Sequence, residues 1–131
     1  METITISTPS REVLVDITSE VKHAVKKSGI QDGICIVFIP HTTAGITINE
    51  NADPSVKTDI IEFLKKLIPR SADFSHIEGN SDSHIKSSLV GDSETILVEN
   101  GSPVLGTWQG VCLAEFDGPR KRKVHIKVIG P

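Results

Sequence analysis

Apolar and polar residues alternate in several short segments, and this period of two residues predicts β-strands. The segments are residues 3–7, 12–17, 94–99, 107–116 and 124–128. Only Pro9, Ser10 and Arg11 separate the first two, so we predict a hairpin there. Residues 33–39 are apolar on both faces, which predicts a central strand covered on both sides, by helices or by a partner subunit.

A period of 3.6 residues predicts three helices, over residues 18–28, 54–68 and 83–90. Thr18 is a suitable N-cap for the first helix. The second has two agreeing start signals, with Asp53 as N-cap and Pro54 at the first helical position. In the short third helix we expect Ile85 and Leu89 to point inward and His84 to project near the N-terminal end.

Strands near both ends of the chain, helices between them and short connections predict an α+β fold built on antiparallel sheets. The polar segment 69–82 is long for a connection in a compact domain, and Phe74 and Ile77 are candidate apolar anchors for it. We therefore expect an ordered, functional loop. Without a linker or internal repeat, residues 1–131 are expected to form a single domain.

Charge and cysteine content narrow the functional classes. The net charge of −3 provides no basic surface for nucleic acid and no polybasic segment for a membrane. The N-terminus lacks the basic start and apolar core of a signal peptide. Cys35 and Cys112 lie in apolar strand patterns and predict buried thiols in a reducing compartment, so we expect a cytoplasmic protein.

The stretch from His41 to Asn51 has an unusual polar face. Read as a strand, it places Ala44, Ile46 and Ile48 on one face, and the opposite face is polar but uncharged. Two interpretations fit: one wall of a partly enclosed site, or an edge strand rich in threonine. On the first interpretation the side chains that share one space with His84 are His41, Thr43 and Asn49.

Three segments together resemble a known family: His-Thr-Thr-Ala-Gly at 41–45 with Ile-Asn-Glu-Asn at 48–51, Asn-Ser-Asp-Ser-His-Ile-Lys at 80–86, and Gly-Thr-Trp-Gln-Gly at 106–110 leading to Glu-Phe-Asp-Gly-Pro-Arg at 115–120. The chain resembles the YjbQ-like family of secondary thiamine-phosphate synthases over essentially its whole length. The resemblance implies an α+β subunit with an antiparallel β-sandwich-like core, two main helices and one short helix, assembled as a homotrimer. The implied reaction joins a hydroxymethylpyrimidine pyrophosphate to a thiazole phosphate and releases pyrophosphate.

The first candidates for chemistry are His41 and His84, because imidazole can ligate a divalent metal such as zinc or act as a general acid or base. A hydrogen-bonded structural histidine is the alternative for each. A third ligand for zinc or magnesium would come from the nearby carboxylates Glu50, Glu78, Asp82, Glu115 and Asp117, of which Glu78 is our candidate. Glu115 and Asp117 share one strand face at the mouth of a turn and are candidate catalytic carboxylates, although Asp117 also suits the turn itself.

Arg120 follows Gly-Pro in a turn that could aim its guanidinium at a phosphate. We interpret residues 121–123 as an exposed charged segment that protects a sheet edge. Polar side chains that could orient substrate are Thr43, Asn49 and Gln109. Trp108, the only tryptophan, is expected to anchor the core or a subunit interface.

Three functional hypotheses follow. The first is an enzyme acting on a phosphorylated small molecule at a metal-assisted site. The second is a trimeric binding protein for a metal or small anion with incidental synthase activity. The third is a metal-dependent hydrolase with a bound water as nucleophile. No pattern supports a site role for the remaining histidines, which we interpret as surface residues: His23, His76 and His125.

Overall fold

The computed structural model describes residues 1–131 and contains two antiparallel sheets and three helices. The elements, in chain order, are β1 (Glu2–Ser7), β2 (Val13–Asp16), α1 (Thr18–Ser28), β3 (Asp32–Phe38), β4 (Ala44–Glu50), α2 (Pro54–Leu67), α3 (Ser81–Val90), β5 (Ser93–Glu99), β6 (Ser102–Pro103), β7 (Gln109–Glu115) and β8 (Lys121–Ile129). One sheet has the order β1-β8-β3-β5-β6 and the other β2-β7-β4. The predicted α+β fold with antiparallel sheets is confirmed.

The main core lies between the inner faces of the two sheets and one face of α1. Val37 and Ile126 come from the five-stranded sheet, Ile46 and Leu113 from the three-stranded sheet, and Val21 from α1. A smaller cluster under α2 covers the other face of the three-stranded sheet with Leu14, Ile61, Cys112, Ala114 and Phe116. Both faces of β7 are therefore buried, as in a sandwich with an added helical layer.

The predicted hairpin between the first two strands is wrong. β1 pairs with β8 in one sheet, whereas β2 pairs with β7 in the other. The short connection instead crosses between the sheets and bonds to the turn before β8, where the N–H of Thr8 donates to the carbonyl of Arg120 and that of Gly118 to the carbonyl of Arg11. Strand proximity in sequence therefore did not determine the pairing.

The starts of the first two helices differ in how they are capped. Asp53 caps α2 as predicted, accepting from the N–H of Ser55 at 2.9 Å, and Pro54 opens the helix. Ile17, not Thr18, is the N-cap of α1 and makes no side-chain cap. The hydroxyl of Thr18 is used elsewhere, because it accepts the N–H of Val111 at 2.9 Å and so joins α1 to β7.

The predicted central strand, β3, lies between β8 and β5. Its inner face is buried through Cys35 and Val37, and both cysteines of the chain are free and buried, as predicted. On the outer face Phe38 is exposed and no helix of the chain covers it. The prediction of cover on both sides therefore holds for only one side within a single chain.

The inward face of α3 is polar, so the predicted inward positions of Ile85 and Leu89 are wrong. Lys86 is fully buried, and its Nζ lies 2.8 Å from a carboxylate oxygen of Asp82 and 2.7 Å from one of Glu12. Arg11 also pairs with Asp82, at 3.1 Å. This buried ion-pair cluster turns the helix so that its apolar residues face outward.

The segment between α2 and α3 adopts no regular structure, as expected for a loop. Phe74 is partly buried, but Ile77 is 96% exposed and does not anchor the loop. Arg70 supports the far end of the loop by donating to the carbonyl of Gly79. None of the three helices has the length and apolar character needed to cross a membrane.

Candidate functional site

A polar cavity of about 560 Å³ lies where α3 ends against the segment that leads into β4. This size suits a small-molecule ligand. Its walls are formed by His41, Thr42, Ala44, His84, Ser87, Ser88, Gly91 and Asp92. The structure thus brings His41 and His84 to one space, although they are 43 positions apart in the sequence.

A close approach between β4 and the end of α3 creates this cavity. The N–H of Ile46 donates to the carbonyl of Gly91 at 3.0 Å. A Cβ at Gly45 would lie only 2.6 Å from that same oxygen and 2.9 Å from a methyl of Val90, so only glycine fits here. The strand start and the helix end are therefore held side by side.

His41 is fixed by a backbone hydrogen bond, in which its Nε2 accepts the N–H of Lys123 at 2.9 Å. In the neutral ring this assigns the proton to Nδ1, which can donate to a ligand. Partial burial lowers the pKa of His41, and the positive charge of Arg122 lowers it further, partly offset by Glu115. The neutral imidazole is thus the favoured form near pH 7.

Beneath His41 lies a buried ion pair between Glu115 and Arg122. Arg122 Nε donates to Glu115 at 2.9 Å, and the same guanidinium donates to Thr43 Oγ1 at 2.8 Å. Thr8 donates to Glu115 as well, at 2.8 Å. Burial raises the pKa of Glu115, but the hydrogen bonds, chiefly from Arg122, outweigh it and leave that pKa below its usual value.

Three expectations about these buried residues need correction. Glu115 is fully buried, so it supports the site from below and does not reach the cavity. Thr43 likewise points at Arg122 and not toward His84. Arg122 itself is 1% exposed, although residues 121–123 were expected to be exposed, because its charge is matched by Glu115 in the interior.

Asp117 and Arg120 bind each other at the turn before β8. Arg120 donates to the Asp117 carbonyl at 2.9 Å and to its carboxylate at 3.1 Å, and Asn80 donates to the same carboxylate at 3.0 Å. Neither residue lines the cavity. Arg120 nevertheless contributes positive potential at His41, because its charge helps to lower the pKa of that histidine.

Asn49 and Gln109 lie at the far end of the three-stranded sheet, where residues 49 and 50 of β4 pair with residues 110 and 109 of β7. Since a strand rises about 3.4 Å per residue, Asn49 is roughly 17 Å from Ala44 along the strand. The expectation that Asn49 faces His84 is therefore wrong. Gln109 accepts the N–H of Gly106 at 2.8 Å and shapes a turn, from which Trp108 projects 64% exposed and outside the core.

The sequence did not single out His76. Its ring lies edge-to-face with that of His84, with 5.5 Å between centroids, and its Nε2 is 3.7 Å from a carboxylate oxygen of Glu78. The two histidines border a second cavity of about 380 Å³. A signal was present in the sequence, since His76 and His84 bracket the distinctive Glu-Gly-Asn-Ser-Asp segment at 78–82.

The residues predicted to bind a metal do not form a metal site within one chain. His41 already uses its Nε2 lone pair to accept from Lys123, and Glu78 lies beside His76. No group of three or more His, Cys, Asp and Glu side chains is placed to hold an ion. Within one chain these donors do not form a zinc or magnesium site, so the hydrolase hypothesis would need ligands from a second subunit.

Comparison with known proteins identifies a family and several relatives of this chain. The family described as "UPF0047 protein YjbQ-like" matches residues 2–131. A UPF0047 protein of Methanocaldococcus jannaschii is 62% identical over 125 residues, covering 95% of this chain and 91% of its own. UPF0047 protein YugU of Bacillus subtilis is 47% identical over 131 residues, covering 99% of both chains.

Solved structures show the same fold. A YjbQ/UPF0047 family protein from Clostridium acetobutylicum superposes with a TM-score of 0.97 at 53% identity, covering 98% of this chain and 100% of its own. A YbjQ-like protein of unknown function from Sulfolobus solfataricus superposes with a TM-score of 0.95 at 36% identity, covering 99% of this chain and 96% of its own.

Proposed function

The chain belongs to the YjbQ-like UPF0047 family, and from this premise and the geometry of its polar cavity we propose that it is a thiamine-phosphate synthase-type transferase. The reaction joins a hydroxymethylpyrimidine pyrophosphate to a thiazole phosphate and releases pyrophosphate. The bond from the methylene carbon to the pyrophosphate oxygen breaks with its electron pair, and the thiazole nitrogen supplies the pair for the new bond. The leaving group departs in the cavity between His41 and His84.

The observation that carries this proposal is the state of His41. Its Nε2 is held by Lys123, so the neutral ring offers Nδ1–H as a donor. Burial and the charges of Arg122 and Arg120 lower the pKa of His41, and the charge of Glu115 partly offsets them, so the ring remains neutral and keeps this donor. A fixed N–H donor favours an oxygen whose negative charge grows as a bond breaks.

His84 and Thr42 supply further polar groups to the walls of the cavity. An imidazole can donate a proton in acid–base catalysis, so His84 suits the role of general acid toward the leaving oxygen. Thr42 can donate its hydroxyl to a phosphate oxygen. Asp92 is the single carboxylate of the cavity, and its charge disfavours a phosphate placed directly beside it.

The proposed working form is a cytoplasmic homotrimer. Apolar side chains that project from α2 and α3 support an assembly, because Phe63 is 65% and Leu89 63% exposed beside a groove of about 670 Å³. Two free, buried thiols suit a reducing compartment.

A second candidate is a trimeric protein that binds a small anion and has only incidental synthase activity. The hydrogen bond from Lys123 to Nε2 of His41 favours it, since this bond removes His41 as a general base while preserving it as a donor. Anion binding requires nothing more from the cavity, whereas turnover also requires a proton donor such as His84.

The test is a turnover assay that follows thiamine-phosphate formation and pyrophosphate release with wild type, His84→Gln and, as a matched control, His23→Gln on the exposed surface of α1. We expect wild type and control to be equally active and His84→Gln to lose at least about tenfold. Pyrophosphate binding without turnover would favour the anion-binding protein. Equal activity of all three proteins would place the chemistry elsewhere.

A further inference from the structure

The second cavity differs in character from the first. It is lined by Phe74, Ser75, His76, Ser81, His84 and Ile85. Three of these side chains are flat rings and one is aliphatic, whereas the first cavity has Ala44 as its only apolar residue. The second cavity therefore suits the ring of a ligand better than its phosphate groups.

The two imidazoles of the second cavity, His76 and His84, form an edge-to-face pair with an interplanar angle of 77°. In such a pair only one face of one ring is covered by its partner, so other ring faces remain for stacking. Phe74 adds a third ring, and the hydroxyls of Ser75 and Ser81 can bond to ring nitrogens or amino substituents.

His84 lines both cavities, so it is a shared wall between them. A ligand with its ring beside His76 and its phosphates beside His41 would have the connecting bond next to His84. This is where a proton donor to the leaving oxygen is needed.

We infer that the second cavity is a binding site for a planar heteroaromatic ring, with Phe74 and His76 as ring-binding residues. The inference rests on the proposed function for the orientation of the ligand. It adds His76 and the loop between α2 and α3 to the site, and it assigns ring and phosphate recognition to separate cavities.

The test uses the ¹⁵N-labelled full chain and two probes that each carry half of the ligand. The first probe is 4-amino-5-hydroxymethyl-2-methylpyrimidine, which has no phosphate, and the second is inorganic pyrophosphate. We expect the pyrimidine to shift the backbone amides of residues 74–76 and 81, and pyrophosphate to shift those of residues 42 and 88. Pyrimidine shifts confined to residues 41–44 and 87–92, or no saturable shifts, would overturn the inference.

Variants test whether Phe74 contributes to binding of the pyrimidine but not of pyrophosphate. Phe74→Ala should weaken pyrimidine binding by about two- to tenfold, the range expected from losing one aromatic contact, and leave pyrophosphate binding unchanged. His23→Ala, at an exposed ring of α1, is the control. If Phe74→Ala does not fold, His76→Ala replaces it. Equal pyrimidine affinity in the folded variant and wild type would contradict the assignment.

The binding test of the ring site and the turnover test of the proposed function can give different answers. Pyrimidine binding at the second cavity without thiamine-phosphate turnover would sustain the ring site and refute the synthase. Turnover without ring binding at residues 74–81 would refute the ring site alone.

Discussion

His41 and Lys123 are joined by a hydrogen bond of 2.9 Å from the backbone N–H of Lys123 to the imidazole Nε2. This bond ties the wall of the polar cavity to β8, and it leaves His41 with a donor and not a lone pair for the ligand. The buried pair of Glu115 and Arg122 lies beneath it and holds the preceding loop through Thr43. The chemistry of the cavity is therefore set partly by residues that never touch it.

The protonation of His41 gives the first prediction. Its pKa should lie below 6.5, because burial and Arg122 disfavour the imidazolium and protonation breaks the bond from Lys123. Between the folded pKa and 6.5 the unfolded chain binds more protons, so this contribution to stability falls as the pH falls through that window. NMR titration of the His41 ring measures the pKa. A value at or above 6.5 would contradict the assigned field.

The second prediction concerns the buried ion pair. Arg122→Met should lower the free energy of unfolding by about 3–5 kcal/mol, because it leaves the Glu115 carboxylate buried and uncompensated. The double variant Glu115→Leu/Arg122→Met should recover much of the loss. Urea denaturation at pH 7 measures both. A single variant that costs under about 1 kcal/mol would show that the carboxylate finds solvent.

Glu115 also predicts a response to acid. Its folded pKa is lowered from 4.5, so the stabilisation is fully present above pH 4.5 and disappears as the pH falls through the folded pKa. The measurement is urea denaturation across this range in wild type and the double variant. Parallel pH profiles for the two proteins would contradict the prediction.

The buried cluster under α3 gives the next prediction. Lys86→Met removes the buried cation between Asp82 and Glu12, which both keep Arg11 as a partner, and should cost about 1.5–3 kcal/mol for the lost charged hydrogen bonds. The matched control is Lys65→Met, which breaks an exposed pair with Glu62 and should cost no more than about 1 kcal/mol. Urea denaturation compares the two. Equal costs would show that the cluster does not determine how α3 packs.

The exposed apolar face predicts the state of assembly. Light scattering should give wild type a mass of three 14.2 kDa chains. Phe63→Glu should reduce this mass, because a charge would have to be buried without a partner at the groove between α2 and α3. Ser19→Glu, on the exposed surface of α1, should leave it unchanged. A monomeric wild type would contradict the proposed trimer, and an unchanged Phe63→Glu mass would place its interface elsewhere.

Local periodicity predicted most of the elements, because strand and helix patterns depend on neighbouring residues. The pairing of the strands was harder to predict, because β1 and β2 are adjacent in sequence but belong to different sheets. The inward face of α3 was also missed. Lys86 is drawn inward by Glu12, which lies 74 residues away in the chain, and no local pattern reveals that partner.

The site was predictable only in part. The shared space of His41 and His84 followed from their positions in two distinctive segments. The roles predicted for Thr43 and Glu115 are wrong because both side chains bond to Arg122. The sequence did not indicate that Arg122 is buried, because it lies in a run of four basic residues at 120–123. His76 was missed because its loop has no periodicity to orient its side chains.

The most direct test of the central claim is pyrophosphate binding measured by calorimetry with wild type, His84→Ala and His23→Ala. If the cavity between His41 and His84 receives the leaving group, wild type and His23→Ala bind equally. His84→Ala then binds at least about tenfold more weakly, since it removes the donor and a hydrogen bond to a charged group contributes about 1.5–3 kcal/mol. Equal affinities in all three proteins, or no binding to wild type, would contradict the account.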